Sequence, residues 1–345
     1  MDYFVVVCCG YWQRFIIEKA KELGFKVIGI DSDPKALARD SCDVFIVANV
    51  RNPHECLMAV KDFHVIGCIT TNDFAQQSVG LINEYFNLPG VSYEQAIMTT
   101  NKMAMKSIYR KASCGFKIPA YSLSGVKKPI SGSASIGVSK SNIPEEGYFI
   151  EEFVAGEEHT LEGYMHNGEF KALAFSNKKK FVEFQVSTSI LYPPLDKKEK
   201  LEKAYRDYFK QFGLNNCSIH AEVISDHLLE FASRTASGIG THILPWLTGS
   251  DYLGNLIKLA SGQEVDEMKP LPDRWALFHF FAPVGRIKEI KEPKNAEDWF
   301  IKVKVGDVVK APSTDTSRVG HAIYLANSKE ELNEKSSEVN QIIIV

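Results

Sequence analysis

The first hundred residues alternate between short apolar runs and stretches with the periodicity of a helix. The run YFVVVCC (3–9) is continuously apolar, which is typical of a parallel strand buried on both faces. The stretch QRFIIEKAKELGF (13–25) has helical periodicity and contains Gly24, a favourable residue for a C-terminal cap. The same alternation predicts strands over 26–34, 43–49 and 65–73, and helices over about 53–61 and 74–86. This order of elements predicts a doubly wound α/β domain.

After residue 92 the pattern predicts hairpins and isolated helices. Residues 158–176 alternate as a hairpin does, and Asn167–Gly168 suits its two-residue turn because both residues adopt positive φ readily. The other predicted elements are two short helices over 92–113, a strand over 147–154, an amphipathic helix over about 197–212, a second hairpin over 218–234, and strands with a final helix beyond about 274. With a length of 345 residues, this change predicts a multidomain chain of α/β and α+β parts.

Composition argues against several classes of function. The formal net charge is −3, and no run of like charge exceeds NKKK at 177–180, which we interpret as a solvated loop, so we expect no nucleic-acid partner. No window approaches the roughly 18 apolar residues of a membrane helix, and the N-terminus lacks the features of a signal peptide. The seven cysteines are scattered without CxxC spacing. These features favour a cytoplasmic protein without a zinc site.

The turn after the first predicted strand argues against a dinucleotide site. A dinucleotide fingerprint needs G-x-G-x-x-G so that the backbone can approach the pyrophosphate. Here the turn is CCGYWQR, with one glycine and the bulky pair Tyr11–Trp12. Asp31 lies where a ribose-binding acid would be, but an aspartate in DSDP more often turns the chain. We therefore interpret Asp31 as structural.

The hairpin at 218–234 places two glutamates in opposite positions. A loop of Ser225, Asp226 and His227 would set Glu222 directly opposite Glu230. Two adjacent carboxylates repel unless one is protonated or a cation lies between them. Paired oxygen ligands suit Mg²⁺, which completes its shell with phosphate oxygens. The alternative is a solvent-facing pair of strands with the two charges splayed apart.

A loop rich in glycine and serine precedes this hairpin. In KKPISGSASIGVSKS (127–141), Gly132 and Gly137 have the spacing of a phosphate-binding loop, but the lysine stands in front, at Lys128. Backbone N–H groups of such a loop can fold over phosphates. A flexible hairpin tip is the alternative interpretation.

The order of lysine, Gly/Ser loop, acidic strand and acidic hairpin in residues 92–264 resembles the ATP-grasp superfamily of carboxylate–amine ligases. The pattern is closest to that of the dipeptide-forming L-amino acid ligases. NKMAMK resembles the segment with the first phosphate lysine, Lys102, and KPISGSASIGV is similar to the family's K-P-x-x-G-S-x-S-x-G-V, whose lysine is Lys128. The resemblance implies that ATP phosphates contact these lysines and the mobile loop residues Ser131, Gly132, Ser133, Ser135 and Gly137.

Two further segments complete the implied site. IEEFVAGEE resembles the linker strand, which implies contacts with adenine or ribose by Glu151, Glu152, Phe153, Val154 and Glu158. HAE…LLEFASR resembles the metal segment, which implies that Glu222 and Glu230 bind Mg²⁺ or Mn²⁺ and that Arg234 holds phosphate. Arg234 and Lys128 are the residues to which the resemblance assigns catalysis.

The resemblance covers nearly the whole chain and implies three domains. These are an N-terminal α/β domain over 1–95, an ATP-grasp core over 96–265 with a lid subdomain over about 118–170, and a β-rich C-terminal part over 266–345 that packs on the core. The sequence departs from the family in two places. Many members have Asn where this chain has Ala232, and the lid segments are short, so we expect the lid to lack one or both helices.

The resemblance implies that a substrate carboxylate attacks the γ-phosphate of ATP and that an amine then displaces phosphate from the acyl phosphate. Glu183 is a candidate for binding an α-ammonium group, although an exposed acid on a strand is the alternative. Arg234 and Gly238 are further candidates for substrate contact. Arg318 either reaches the site or pairs on the surface, and of these two we favour the surface. The expected partners are a small carboxylate and an amine, with no membrane, and such families often form homodimers.

Two other functions stay open at this point. One is an ATP-grasp enzyme that activates another carboxylate such as bicarbonate, and a pocket large enough for two amino acids would argue against it. The other is a degenerate ATP-binding sensor without turnover, for which Ala232 and the short lid are the motivation.

Overall fold

The computed structural model describes residues 1–109, 114–182 and 186–345, and it confirms the predicted N-terminal parallel sheet. The strands are β1 (Tyr3–Val7), β2 (Lys26–Asp31), β3 (Val44–Val47) and β4 (Val65–Ile69), and the helices are α1 (Gln13–Glu22), α2 (Pro53–Val60) and α3 (Gln76–Tyr85). All four strands are parallel, in the order β3-β2-β1-β4. Phe4 and Val6 pack in one core with α1, whereas Val5 and Val7 pack in another with α2 and α3. Helices therefore cover both faces, as in a doubly wound domain.

Asp31 has the structural role that its sequence context predicts. Its carboxylate accepts the backbone N–H of Cys9 at 2.6 Å and of Asp33 at 2.9 Å. These two bonds hold the end of β2 against the turn that follows β1. Trp12 lies in this turn, directly before Gln13, the first residue of α1.

Two short helices lead from the N-terminal domain into a small lid sheet. They are α4 (Tyr93–Thr99) and α5 (Lys102–Tyr109), and α4 begins at a capping box in which Ser92 and Gln95 exchange hydrogen bonds. The lid sheet consists of β5 (Tyr121–Pro129), β6 (Ser139–Ser141) and β7 (Tyr148–Glu151), in the order β6-β5-β7. Residues 118–152 are all described and contain no helix, in agreement with the expected reduction of the lid.

A nine-stranded antiparallel sheet forms the centre of the molecule. Its strands are β8 (Glu158–His166), β9 (Glu169–Phe175), β10 (Asn177–Val182), β11 (Val186–Tyr192), β12 (Cys217–Ile224), β13 (His227–Ala232), β14 (Trp275–Phe281), β17 (Asp298–Ile301) and β19 (Gly320–Ala326). The order is β13-β12-β8-β10-β11-β14-β19-β17, with β9 paired to β8. Helix α6 (Lys198–Gln211) packs its apolar face, including Tyr208 and Phe209, on the core beneath β8, β9 and β12.

The remaining elements connect and flank this sheet. Helices α7 (Leu244–Thr248) and α8 (Tyr252–Ser261) follow a π-helical turn at Ile239–Ile243, and α9 (Lys329–Lys335) packs on β14 and β19. Short strands form two further pairs, β15 (Gly285–Arg286) with β18 (Val308–Val309) and β16 (Glu289–Ile290) with β20 (Ile343–Ile344).

The nine-stranded sheet contains strands from both sides of the boundary predicted at residue 265. The lid sheet ends at Glu151, and the β8–β9 hairpin, which the predicted lid range includes, belongs to the large sheet. The three domain ranges stay predictions.

Both predicted hairpins are present, but the second differs in its turn. The first turns at Asn167 and Gly168 with φ of 50° and 70°. In the second, Glu222 pairs with Glu230 as predicted, but the three-residue loop is wrong. Ile224 pairs with His227, so the turn has two residues, and a bulge between Glu222 and Val223 restores the register.

No helix in the described part of the chain is both long and apolar enough to cross a membrane. The cytoplasmic location and the homodimer stay predictions.

The central position of His279 predicts a stability that depends on pH. His279 lies in β14 between Ser189 of β11 and Ala322 of β19, and burial lowers the pKa of its imidazole to about 4. A histidine in the unfolded chain has a pKa of about 6.5. Between these two pKa values the unfolded state binds more protons than the folded state, so the free energy of unfolding falls as the pH falls. We expect wild type to lose about 2 kcal/mol between pH 7.5 and pH 5 through this residue.

Urea unfolding of His279→Gln at both pH values would measure this loss. The variant should have a smaller difference in free energy of unfolding between the two pH values than wild type has. The exposed His64, replaced in the same way, serves as the control and should leave the difference unchanged. An unchanged difference in His279→Gln would contradict the prediction.

Candidate active site

A cavity between the lid sheet and the β12–β13 hairpin contains most of the residues predicted to bind ATP. We call it the first cavity. Its walls include the predicted residues Lys102, Lys128, Gly132, Ser133, Ser135, Glu151, Glu152, Phe153, Val154, Glu158, Glu222 and Glu230. Ser131 lines an adjoining cavity, and Gly137, with φ of 77°, packs against the ring of Tyr148. The structure therefore brings together four segments that are distant in sequence.

Glu151 joins the lid to helix α5 through two lysines. Its carboxylate lies 2.6 Å from the ammonium of Lys128 and 2.6 Å from that of Lys106, and all three side chains are buried. Burial alone would lower the pKa of Lys128, but Glu151 and Glu230 outweigh it and raise this pKa. For Lys106 burial is the stronger effect, and its pKa is lowered. Sequence reasoning missed Lys106, although its spacing of four from Lys102 places both on one helix face.

Lys102 connects the lid loop to the hairpin. Its ammonium lies 3.0 Å from the carboxylate of Glu230 and donates to the carbonyl of Gly132 at 2.7 Å. A predicted phosphate lysine, a predicted metal ligand and the tip of the Gly/Ser loop therefore meet at one point. Because phosphate oxygens and carboxylates accept the same hydrogen bonds, Lys102 is placed to exchange one for the other.

Lys178 lies between two of the predicted acidic residues. Its ammonium is 2.9 Å from Glu222 and 2.7 Å from Glu158. Although burial opposes charge on both partners, the attraction between them raises the pKa of Lys178 and holds that of Glu222 below its ordinary value. Both groups are therefore charged at neutral pH.

The interpretation of NKKK as a solvated loop is wrong. These residues begin β10, and the alternation of a strand places Lys178 and Lys180 on the face of the cavity, while Lys179 is exposed. Lys180 forms a second ion pair with Glu158. The acidic partners of Lys178 and Lys180 lie on β8 and β12. No local signal in NKKK could therefore distinguish a buried lysine from a solvated one.

Arg234 lies at the C-terminal edge of the N-terminal parallel sheet. Its guanidinium donates two hydrogen bonds, of 2.9 Å and 2.5 Å, to the carboxylate of Asp73. Asp73 lies shortly after the end of β4. Burial alone would favour the neutral forms, but the pair raises the pKa of Arg234 and lowers that of Asp73. Sequence reasoning missed Asp73, although ligands of open α/β sheets bind at the carboxyl ends of the strands.

A second cavity, of about 470 Å³, adjoins the first. Arg234 and Gly238, both predicted to contact substrate, line it together with Trp12, Lys178, His220, Phe278, Phe280, Phe300, Lys302, Arg318 and His321. Ser133, Ala134, Glu222 and Asp315 line both cavities. The two spaces therefore meet beside the loop tip and one of the paired glutamates.

The expectation that Arg318 pairs on the surface is wrong. Its side chain lines the second cavity, lies over the ring of Phe280 at 3.7 Å and pairs with Asp315 at 3.3 Å. Burial lowers the pKa of this guanidinium. Glu183, the candidate for binding an ammonium group, lies outside the described residues.

His220 and Glu162 form a further buried pair at the junction of the cavities. The Nδ1 atom of His220 lies 2.9 Å from the Glu162 carboxylate, which also accepts the hydroxyl of Tyr192 at 3.1 Å. His220 pairs across the hairpin with Ala232, the residue at which the chain departs from the family pattern. The small side chain of Ala232 leaves this part of the cavity to the imidazole.

Comparison with known proteins identifies the fold. The family model described as ATP-grasp domain matches residues 139–242, which contain the linker strand and both paired glutamates. This segment of the chain is therefore similar to an ATP-grasp domain. No curated protein sequence matches it.

Solved structures extend the likeness to the whole chain. The L-amino acid ligase of Bacillus licheniformis has a TM-score of 0.80 at 19% identity, covering 100% of this chain and 98% of that chain. Phosphoribosylglycinamide synthetase of Anaerococcus prevotii has a TM-score of 0.79 at 18% identity, covering 100% and 99%. The biotin carboxylase domain of Hydrogenobacter thermophilus 2-oxoglutarate carboxylase, a dimer in complex with MgADP, ADP and bicarbonate, has a TM-score of 0.75 at 14% identity, covering 99% and 90%. These likenesses confirm the predicted fold class.

The paired glutamates suit a hard divalent cation. Glu222 and Glu230 stand opposite each other and line the same cavity, and each has a lysine ammonium as its present counter-charge. Among the described residues no group of three or more His, Cys, Asp or Glu side chains forms a metal cluster. Two carboxylates with the rest of the shell left open is the arrangement in which Mg²⁺ binds together with phosphate oxygens.

Replacement of Lys178 should destabilise the protein. In Lys178→Met the partly buried Glu222 loses its nearest cation, and breaking a pair in this way costs up to about 3 kcal/mol. Lys179→Met, one residue further along the same strand but exposed, should change the stability by less than about 0.5 kcal/mol. Urea unfolding of both variants beside wild type measures the difference, and equal stabilities would refute a structural role for the Lys178 ion pairs.

Proposed function

We propose that the protein is an ATP-dependent ligase that joins a small carboxylate, most simply that of an amino acid, to an amine through an acyl phosphate. The observation that carries the proposal is the junction of the two cavities. The first has the lysines and carboxylates that phosphates and their metal require, and the second presents Arg234 beside the same glutamate. A nucleotide in the first cavity and a carboxylate in the second would meet at Glu222.

The cations of the first cavity support the binding of ATP. Lys102 of α5 and Lys128 of β5 line the first cavity together with the Gly/Ser loop, and each is held by a carboxylate. Phosphoryl transfer depends mainly on positioning and on neutralising charge. Phosphates entering this space would replace the carboxylates as partners of ammonium groups that are already in place.

Glu222 and Glu230 would hold Mg²⁺ or Mn²⁺, and a bound cation would neutralise charge on the phosphates. The depressed pKa of Glu222 keeps this carboxylate charged and ready as a ligand throughout the physiological range. Lys178, the present partner of Glu222, would retain Glu158 as an acidic partner when Glu222 binds a cation.

Arg234 would hold the carboxylate, and later the acyl phosphate, at the junction. Its two hydrogen bonds to Asp73 fix the plane of the guanidinium. Among the described residues, the Nη1 group donates a single long hydrogen bond, of 3.4 Å, to the carbonyl of Thr235. Fixing an arginine before the substrate arrives reduces the reorganisation that the transition state requires.

Activation of bicarbonate is the second candidate, supported by the likeness to a biotin carboxylase domain that binds bicarbonate. The size of the second cavity favours the ligase, because about 470 Å³ with aromatic walls greatly exceeds the space of a four-atom anion. A cavity of this size also has room for two small substrates, which supports the ligase.

The proposal predicts that phosphate release from ATP and Mg²⁺ requires amino acids. In a panel of single and paired amino acids, at least one combination should release phosphate, and Glu230→Gln should lower the rate roughly 10²–10³-fold because a preorganised charge is lost. Glu146→Gln, an exposed glutamate in the loop before β7, is the matched control and should keep the wild-type rate.

Release that depends on bicarbonate and on none of the amino acids would transfer the assignment to the second candidate. Binding of ATP without release under every combination would contradict both enzymatic proposals and favour a sensor.

A further inference from the structure

The second cavity has an aromatic end that the phosphoryl chemistry does not use. It consists of Trp12, Phe278, Phe280, Phe300 and His321, and we call it the aromatic subsite. These residues come from the turn after β1 and from β14, β17 and β19, so the N-terminal domain and the C-terminal strands build it together. Trp12, one of the two bulky residues that stand in place of a dinucleotide fingerprint, therefore forms part of a wall of this cavity.

A chain of hydrogen bonds fixes the orientation of the rings. The Nε2 atom of His321 lies 3.0 Å from Asp298, and the other oxygen of Asp298 accepts the hydroxyl of Tyr11 at 2.7 Å. The indole of Trp12 lies against His321, with 4.7 Å between ring centroids. Flat walls that are already ordered bind a planar apolar group at low entropic cost.

The charges of the cavity select against a cationic side chain. Arg234, Arg318 and Lys178 each have an acidic partner, whereas Lys302 donates to the carbonyl of Thr316 and has no acidic partner among the described residues. The cavity therefore has a surplus of positive charge. Aromatic rings also attract cations, but a positively charged side chain at the aromatic end would be repelled by Lys302 and Arg318. A carboxylate joined to a neutral ring fits both parts of the cavity.

We propose that the aromatic subsite binds the side chain of an aromatic α-amino acid whose carboxylate faces the cationic part of the second cavity. This inference rests on the proposed ligase for the statement that the amino acid is a substrate, but the binding itself does not depend on turnover.

Gly238, which has no side chain, leaves room in the aromatic subsite for the ring of the bound amino acid. A methyl group at this position would lie 2.7 Å from Phe278 and 2.9 Å from Trp12, so the two aromatic walls would have to separate or turn. The φ of Gly238 is −64°, a value that alanine adopts freely, so Gly238→Ala tests the space of the subsite without straining the backbone.

The experiment is calorimetric titration of the full chain with L-phenylalanine and with L-alanine, in the absence of nucleotide. Wild type should bind L-phenylalanine at least about tenfold more tightly than L-alanine, because burial of the phenyl ring removes apolar surface from water. Gly238→Ala should weaken the binding of L-phenylalanine about tenfold and reduce this preference.

Phe300→Ala and Trp299→Ala form a matched pair. The two side chains are neighbours in β17 with similar exposure, 37% and 39%, but only Phe300 lines the cavity. We expect Phe300→Ala to weaken L-phenylalanine about tenfold and Trp299→Ala to leave it unchanged. Equal affinity of wild type for the two amino acids, or equal effects of the two variants, would overturn the inference.

Phosphate release, measured in parallel, separates the two proposals. If L-phenylalanine binds in the expected pattern but no amino acid supports release, the subsite stands and the ligase falls. If small amino acids support release and L-phenylalanine neither binds nor competes, the ligase stands and the subsite falls.

Discussion

The structure depends on a set of ion pairs in which four carboxylates of the first cavity have lysine partners. Glu151, Glu158, Glu222 and Glu230 come from the lid sheet and the large sheet, and their lysines come from α5, β5 and β10. A buried charge without a partner costs several kcal/mol, so these elements must close on one another with the charges matched. Under the proposed function, a phosphate or a metal ion would take the place of one partner in such a pair while the other remained charged.

The N-terminal domain contributes more than support. The carboxyl ends of its parallel strands face the large sheet, so that Asp73 holds Arg234 and Trp12 lies against His321. This edge is where α/β sheets bind ligands generally, because the chain ends its strands there in loops that are free to carry functional side chains. In this protein the edge forms one wall of the second cavity.

Several features of the site follow from short segments of sequence. The opposition of Glu222 and Glu230 is predictable because strand alternation and hairpin pairing are local, although the actual turn of two residues and the bulge were not. The parallel N-terminal sheet and the Asn167–Gly168 turn are predictable for the same reason. The burial of Lys178 was not, because its partners Glu158 and Glu222 belong to strands that lie 20 and 44 residues away in sequence.

The sequence alone therefore determined the fold class, the order of the predicted phosphate lysines, loop and acidic hairpin, and the absence of a dinucleotide fingerprint. Each of these features depends on residues that lie close together along the chain. Only the tertiary structure decided which charges pair, that Arg318 lines the second cavity, and that Trp12, Phe278, Phe300 and His321 surround one space. The physical reason is that burial and pairing depend on which distant elements meet, and a lysine or a tryptophan has the same local signature whether it faces water or another sheet.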